Sequence, residues 1–236
     1  MQIEIFSDVV CPWCYVGTRR LQEALSTFPQ ADDVTITYRS YQLDPSSPQQ
    51  SEQTLDEMLA AKYGRTLAEA QAMNQQMTDV AATVGLEFHL DIAHPANTFD
   101  AHRLLHLALA HGKQLELKER LLLGYFSEGL PVGDHEELAR VAVEVGLPAD
   151  EVSAVLAGDR YSGDVRADIE LARSFGATGV PFFVVDRAYG VSGAQESTVF
   201  TDVLQQAWKA AHPVPLVTTS GDAPVCADSS CEVQQG

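Results

Sequence analysis

Two cysteines three positions apart, Cys11 and Cys14, stand where an alternating apolar stretch gives way to a helical pattern. Gln2 to Val10 reads as a strand: Ile3 and Ile5 alternate with Gln2 and Glu4, and Val9-Val10 run on to the first cysteine. From Pro12 to about Phe28 the period changes, with Val16, Leu21, Ala24, Leu25 and Phe28 on one helical stripe. Pro12 suits a first helical turn, where its missing N–H is no loss. Val34 to Tyr38 is β-branched and alternating and reads as a second strand, continuing toward Leu43. The chain therefore opens as a βαβ unit, for which a right-handed crossover is expected.

That location gives the cysteine pair its chemistry. A sulfur at a helix N-terminus faces unsatisfied N–H groups and the positive end of the macrodipole, so its thiolate is favoured. Cys11 is thus expected to be the attacking thiolate. Cys14 lies on the same helical face, close enough to close a disulfide with it and resolve a mixed disulfide. Pro12 and Trp13 between them are expected to tune the redox poise. The bare spacing also admits half of a zinc site, but its place after a strand favours redox chemistry and no resident metal. Asp8, three residues before Cys11, is expected to cap the turn. Arg19 and Arg20 are expected on the solvated surface.

Beyond the turn-rich linker Asp44-Pro45-Ser46-Ser47-Pro48, helical patterns fill about Leu55 to Arg173 with no convincing strand. The stretch is too long for a loop and reads as an inserted helical domain. The helices are expected at Thr66–Val84, Phe99–His111, Leu115–Phe126, Glu136–Val145, Asp150–Leu156 and Asp164–Phe175. Gly179 to Val185 then reads as a buried strand, with Tyr189 to Val191 as its hairpin partner and Glu196 to Ala211 as a last amphipathic helix. The fold class is α/β. Residues 1–45 and 177–211 form one domain with helix 164–175 packed on it, 50–163 form the insertion, and 212–236 form an irregular tail.

At this point the residues resemble a known family. Phe6-Ser7-Asp8-Val9-Val10-Cys11-Pro12-Trp13-Cys14 is similar to the active-site segment of the DsbA-like thioredoxin superfamily, in particular its FrnE-like branch. Gly179-Val180-Pro181-Phe182-Phe183 resembles that family's cis-proline loop, and Thr37 to Pro45 resembles its second strand and following loop. The resemblance covers about Ile3 to Ala211. It implies a thioredoxin-like fold with a large inserted all-α domain, and a cis Val180–Pro181 bond packed against the thiols. Backbone beside Pro181 would then pair with an extended substrate segment.

The tail pair Cys226/Cys231 leaves two readings open. It is a local disulfide or a pair of free thiols, or it exchanges with Cys11/Cys14, as the resemblance to proteins with a second cysteine motif implies. About 14 residues separate it from the last helix, a reach of up to roughly 45 Å. Asn97 and His102 begin a helix similar to one lining a groove in related glutathione enzymes, so a substrate role is open beside an unremarkable one. Met58, Met73 and Met77 can line a peptide surface; helix core is expected for Met73 and Met77.

The net charge of −18, from 15 basic and 33 acidic residues, repels phosphate backbones and argues against nucleic acid as a partner. No run approaches a membrane span. No signal-peptide pattern is visible at the N-terminus, so a cytoplasmic location is expected unless a leader has been removed. The expected function is that of a protein disulfide isomerase or reductase without cofactor. It would act on disulfide-containing or unfolded proteins, with glutathione or a thioredoxin system as electron source. The alternatives are a glutathione-dependent enzyme resembling kappa-class glutathione transferases or 2-hydroxychromene-2-carboxylate isomerases, and a non-catalytic thiol or metal-binding module. The glutathione enzymes place serine where this chain has Cys11.

Overall fold

The computed structural model describes residues 1–213, and Cys226 and Cys231 lie outside them. Strand β1 (Gln2–Ser7) leads into helix α1 (Pro12–Ser26), and β2 (Thr35–Ser40) returns parallel to β1. Seven helices follow: α2 (Leu55–Tyr63), α3 (Leu67–Ala82), α4 (Phe99–Ala110), α5 (Gln114–Ser127), α6 (His135–Glu144), α7 (Ala149–Ala157) and α8 (Ser162–Ser174). The antiparallel hairpin β3 (Phe182–Val185) and β4 (Tyr189–Ser192) precedes α9 (Ser197–Ala211). The sheet order is β2-β1-β3-β4, with Ile5 opposite Phe183 and Phe6 opposite Phe182. This is a thioredoxin-like fold carrying a helical insertion between β2 and β3.

Alternation along β1 divides its side chains between two layers. Ile3 and Ile5 join Leu21, Phe28, Phe183, Phe200 and Leu204 beneath α1 and α9. Phe6 points the other way, into a cluster with Phe182, Val184 and Ala172 of α8. A third and larger core fills the insertion, and Val9, Tyr15 and Val16 reach into it from the cysteine segment and α1. The insertion is therefore packed directly behind the cysteines.

Both early strands end sooner than their composition predicts, because side chains take over their backbone groups. β1 stops at Ser7, where the Asp8 carboxylate accepts from Val9 N–H (2.8 Å) and Leu43 N–H (2.8 Å). β2 stops at Ser40, whose N–H donates to Asp168 of α8 (2.9 Å). β2 is an edge strand, and the insertion covers that edge. Gln114 at the start of α5 accepts from Tyr38 N–H and donates to Tyr38 C=O, both at 2.9 Å, as a neighbouring strand would. Two Thr-x-x-Glu capping boxes, Thr54/Glu57 and Thr66/Glu69, begin α2 and α3, and Gly64 in the left-handed region separates them. Gly133 holds the linker down: a Cβ there would fall 1.8 Å from the Gln49 carbonyl oxygen.

Three expectations about side chains are corrected. Met77 is buried as expected, but Met73 is exposed. Arg19 and Arg20 are not free surface groups. Arg19 pairs with Glu119 of α5 (2.5 Å) and stacks on Tyr15, while Arg20 donates to Ala194 C=O (2.6 Å) and pairs with Glu196 (2.8 Å). They clamp α1 to the insertion on one side and to the segment before α9 on the other.

Glu4 is buried in the sheet and held by Arg39 (2.7 Å) and Arg187 (2.8 Å). The Arg187 hydrogen bond, with help from Arg39 and against the penalty of burial, keeps its carboxyl below the ordinary glutamate value of 4.5. A depressed folded-state value means stability that is present above 4.5 and lost as pH falls toward the folded value. Glu4→Gln is expected to cost about 1–3 kcal/mol at neutral pH and to flatten the acid limb of the stability curve. Denaturant unfolding from pH 7 downward, roughly one pH unit per step, checks both.

Candidate active site

The site forms where β1 hands over to α1. Pro12 occupies the first turn of α1, as the sequence requires, and Cys11 is the helix cap. The Cys11 sulfur accepts from Cys14 N–H at 3.3 Å, a sulfur version of the usual N-cap bond. Its thiol in turn donates to Val180 C=O (3.6 Å), and the Val180–Pro181 peptide is cis. The cis-proline loop thus lies against Cys11, as the resemblance implies. The two cysteines are free rather than joined in a disulfide. Cys11 is 3 % exposed and Cys14 0 %, while Trp13 between them is 44 % exposed. Only the first sulfur has a route to solvent.

The electrostatics of the pair depart from the sequence expectation. Burial pushes the Cys11 thiol well up, and the adjacent Cys14 sulfur pushes it further. Burial acts on Cys14 in the same sense but is outweighed there. The Cys11 thiol, the Lys118 ammonium and the Ser7 hydroxyl together pull Cys14 below the ordinary cysteine value. The two sulfurs are thus pushed in opposite directions, the outer one up and the inner one down. The helix N-terminus alone does not decide the matter, because a buried sulfur also loses its hydration.

Asp8 is fully buried and does more than cap a turn. One carboxylate oxygen accepts from Val9 N–H and from His102 Nε2 (3.1 Å), the other from Leu43 N–H. Burial would raise its value, but the bonds from His102 and Leu43, with the Lys118 charge, hold it below the ordinary carboxylate range. His102 itself is corrected from a groove-lining residue to an interior one. It is 1 % exposed, because residues 101–108 of α4 are all buried. Asn97 is a linker staple: its amide donates to Pro45 and Ser47 C=O, and its oxygen accepts from Phe99 N–H (2.9 Å) and from Gln42.

Lys118 was not singled out by the sequence. It is 1 % exposed, and its ammonium lies over the Tyr38 ring, 5.4 Å from the centroid. The Tyr38 hydroxyl meets Thr18 Oγ1 (3.1 Å), which donates to Cys14 C=O (2.9 Å). Burial raises the Tyr38 phenol to about 12. A lysine among Leu117, Leu121 and Leu122 of an otherwise amphipathic helix gives no periodic signal that it faces inward toward the sulfurs.

Another buried group, Ser40, His106 and Asp168, contains a nucleophile, a base and an acid. Both Ser40 Oγ and Asp168 approach the same ring nitrogen, His106 Nε2, at 3.1 Å. A relay needs one partner on each nitrogen, so this cluster joins α4 and α8 to β2 instead. Among the described residues no group of three or more His, Cys, Asp or Glu side chains is gathered to hold a metal, and no helix is long and apolar enough to cross a membrane.

The profile of the DSBA-like thioredoxin domain matches residues 2–205. A crystal structure of a "probable DsbA oxidoreductase" from Streptomyces coelicolor is 45 % identical, with a TM-score of 0.86 over 100 % of both chains. The cytosolic disulfide reductase DsbM from Pseudomonas aeruginosa is 15 % identical, with a TM-score of 0.62 over 89 % of this chain and 100 % of that one. A 2-hydroxychromene-2-carboxylate isomerase is 12 % identical, with a TM-score of 0.66 over 89 % and 98 %. The last two share the fold.

Gly17 of α1 sets how closely the cis-proline loop approaches. A Cβ there would lie 3.1 Å from both Pro181 Cγ and Phe183 Cζ. Gly17→Ala is expected to displace this loop from Cys11 and to cost about 1–3 kcal/mol by overpacking. Denaturant unfolding of the dithiol form measures the loss.

Proposed function

The chain belongs to the DSBA-like thioredoxin domain family, and from that premise we propose that it is a thiol–disulfide oxidoreductase in which Cys11 attacks and Cys14 resolves. The observation that carries this reading is the pairing of the two sulfurs at the first turn of α1, with the outer one beside Val180 and Pro181.

Attack begins with loss of the Cys11 proton to solvent. The Cys11 anion is then held by Cys14 N–H and the α1 N-terminus. It displaces one sulfur of a substrate disulfide: the S–S bond breaks, a Cys11–substrate disulfide forms, and the released thiolate takes up a proton. Cys14, deprotonated in its turn, attacks Cys11. The Cys11–Cys14 bond forms, and the second substrate sulfur leaves and is protonated. The substrate gains two electrons and two protons, and the enzyme pair loses them. If the substrate's own released thiol attacks first, the product is a rearranged disulfide and the pair stays reduced. Backbone beside Pro181 would receive an extended segment, which suits varied or unfolded protein substrates.

In a reducing compartment the pair is kept as the dithiol, so reduction or isomerisation is the direction proposed, with glutathione or a thioredoxin system returning the electrons. The glutathione-transferase reading has the shared fold in its favour but would need Cys11 to stabilise a bound glutathione thiolate without forming a mixed disulfide. A transferase assay with an aromatic electrophile separates the two. The tail pair Cys226/Cys231 is proposed as an internal exchange partner. In Cys14→Ser protein a Cys11-linked tail species should accumulate under oxidising glutathione, and its absence by peptide mapping removes that role.

Refolding of a scrambled disulfide protein tests the main reading. Cys11→Ser should reduce isomerisation to background, and Cys14→Ser should leave part of it. Both substitutions should abolish net reduction. Isomerisation at parental rate in Cys11→Ser protein overturns the assignment.

A further inference from the structure

The insertion contains two buried cations of opposite design. Arg103 of α4 is almost fully enclosed, and its guanidinium is satisfied by Asp100, by the carbonyls of Arg160 and Gly158, and by Val155 C=O. It is a staple between α4 and the α7–α8 connection. Lys118 is equally enclosed, yet its Nζ has no hydrogen-bond partner among the described residues. A buried ammonium without a partner is costly, and replacing it with an apolar side chain of similar size would ordinarily help stability. It lies over the Tyr38 ring, whose hydroxyl meets Thr18 Oγ1, the donor to Cys14 C=O, so it stands on the Cys14 side of the site. The acidic groups whose charge it feels are Cys14, Asp8 and Cys11. Tyr38 covers it on the strand side.

α5 is also fixed to the thioredoxin half at points flanking this lysine. Gln114, one turn earlier, holds Tyr38 by two backbone bonds. Glu119, the next residue, accepts from Tyr15 Oη (2.6 Å) and pairs with Arg19, both on α1 immediately after the cysteines. The lysine therefore cannot swing away from the sulfurs without breaking contacts on either side.

Resting on the oxidoreductase reading, we propose that Lys118 is a positioning residue of the insertion that sets the redox poise by stabilising the anionic dithiol form of the Cys11/Cys14 pair. Once the dithiol has lost one proton, a negative charge faces the ammonium. When this anionic pair is oxidised, the Cys11–Cys14 bond forms, two electrons and the one remaining proton pass to the substrate disulfide, whose second proton comes from solvent, and that charge disappears. The disulfide form leaves Lys118 with Asp8 alone. The cation thereby favours the reduced pair and makes the pair a stronger oxidant than its two-residue spacer would by itself.

The test uses the full chain with Lys118→Met and Lys118→Arg, equilibrated in glutathione buffers and read by alkylation and peptide mapping of Cys11 and Cys14. Lys118→Met should shift the equilibrium about tenfold toward the Cys11–Cys14 disulfide, which is roughly 30 mV for a two-electron couple. The thiolate absorbance of the reduced pair should move to higher pH by about one unit in the same variant, the equivalent of that tenfold change. Lys118→Arg, if it folds, should lie nearer the parent than Lys118→Met. The groups facing the lysine are Cys14, Asp8, Cys11 and Tyr38, so Asp8→Asn serves as the control that separates the carboxylate's share.

A second measurement needs no substitution. Coupling between two charges is reciprocal, so Lys118 itself should titrate at higher pH in the dithiol form than in the disulfide form of the parent, followed by NMR of labelled lysine. Lys118 titrating identically in both forms overturns the proposal whether or not the variants fold. An unshifted glutathione equilibrium in folded Lys118→Met protein also overturns it, and leaves the oxidoreductase reading intact. A parent chain whose Cys11/Cys14 pair never exchanges with glutathione fails that reading instead, and this proposal with it.

Discussion

Asp8 accepts hydrogen bonds from three separate stretches of chain: Val9 beside it, Leu43 beyond β2, and His102 in α4 of the insertion. None of these partners is near the others in sequence, and the bonds from Val9 and His102 are buried while that from Leu43 is partly so. A carboxylate without them would carry the full cost of desolvation, so the three segments are held together or the site does not close. Everything nearer the sulfurs depends on this anchoring. It turns the chain out of β1, delivers Cys11 to the first position before α1, and seats the insertion behind Cys14.

The placement of the thiols then follows from competing terms. The helix N-terminus offers Cys14 N–H to the outer sulfur, but burial opposes charge on both. The inner sulfur gains donors and the charge of Lys118, and these pull its thiol below the ordinary cysteine value. The outer sulfur keeps the exposure and the neighbouring Val180 carbonyl.

The insertion contributes structure as well as electrostatics. Gln114 and Asp168 complete the hydrogen bonding of the β2 edge, which in an isolated βαβ unit would be open to another chain. Val9, Tyr15 and Val16 share its hydrophobic core. The helical insertion cannot be read as a lid added to a finished thioredoxin half; the two halves share a core and an edge.

The sequence by itself determined the order of elements and the place of Cys11 and Cys14 at the junction of β1 and α1. Alternation in β1 and β2, the helical stripe of α1, the proline at its first turn and the apolar run of β3 are local signals, each set by neighbours a few residues away. The cysteine spacing, the family likeness and the cis-proline segment are of the same kind. Strand ends, the roles of Asp8, His102, Arg19 and Arg20, and the charge distribution between the sulfurs were decided only by tertiary contacts. Asp8 meets Leu43 and His102 across sequence gaps that no period encodes. Lys118 looks like any charged residue on an amphipathic helix until α5 is docked against β2 and its ammonium is found facing the thiols. Hydrogen-bond satisfaction and desolvation are properties of the assembled interior, and for that reason the chemistry of the pair was legible in the chain while its electrostatic setting was not.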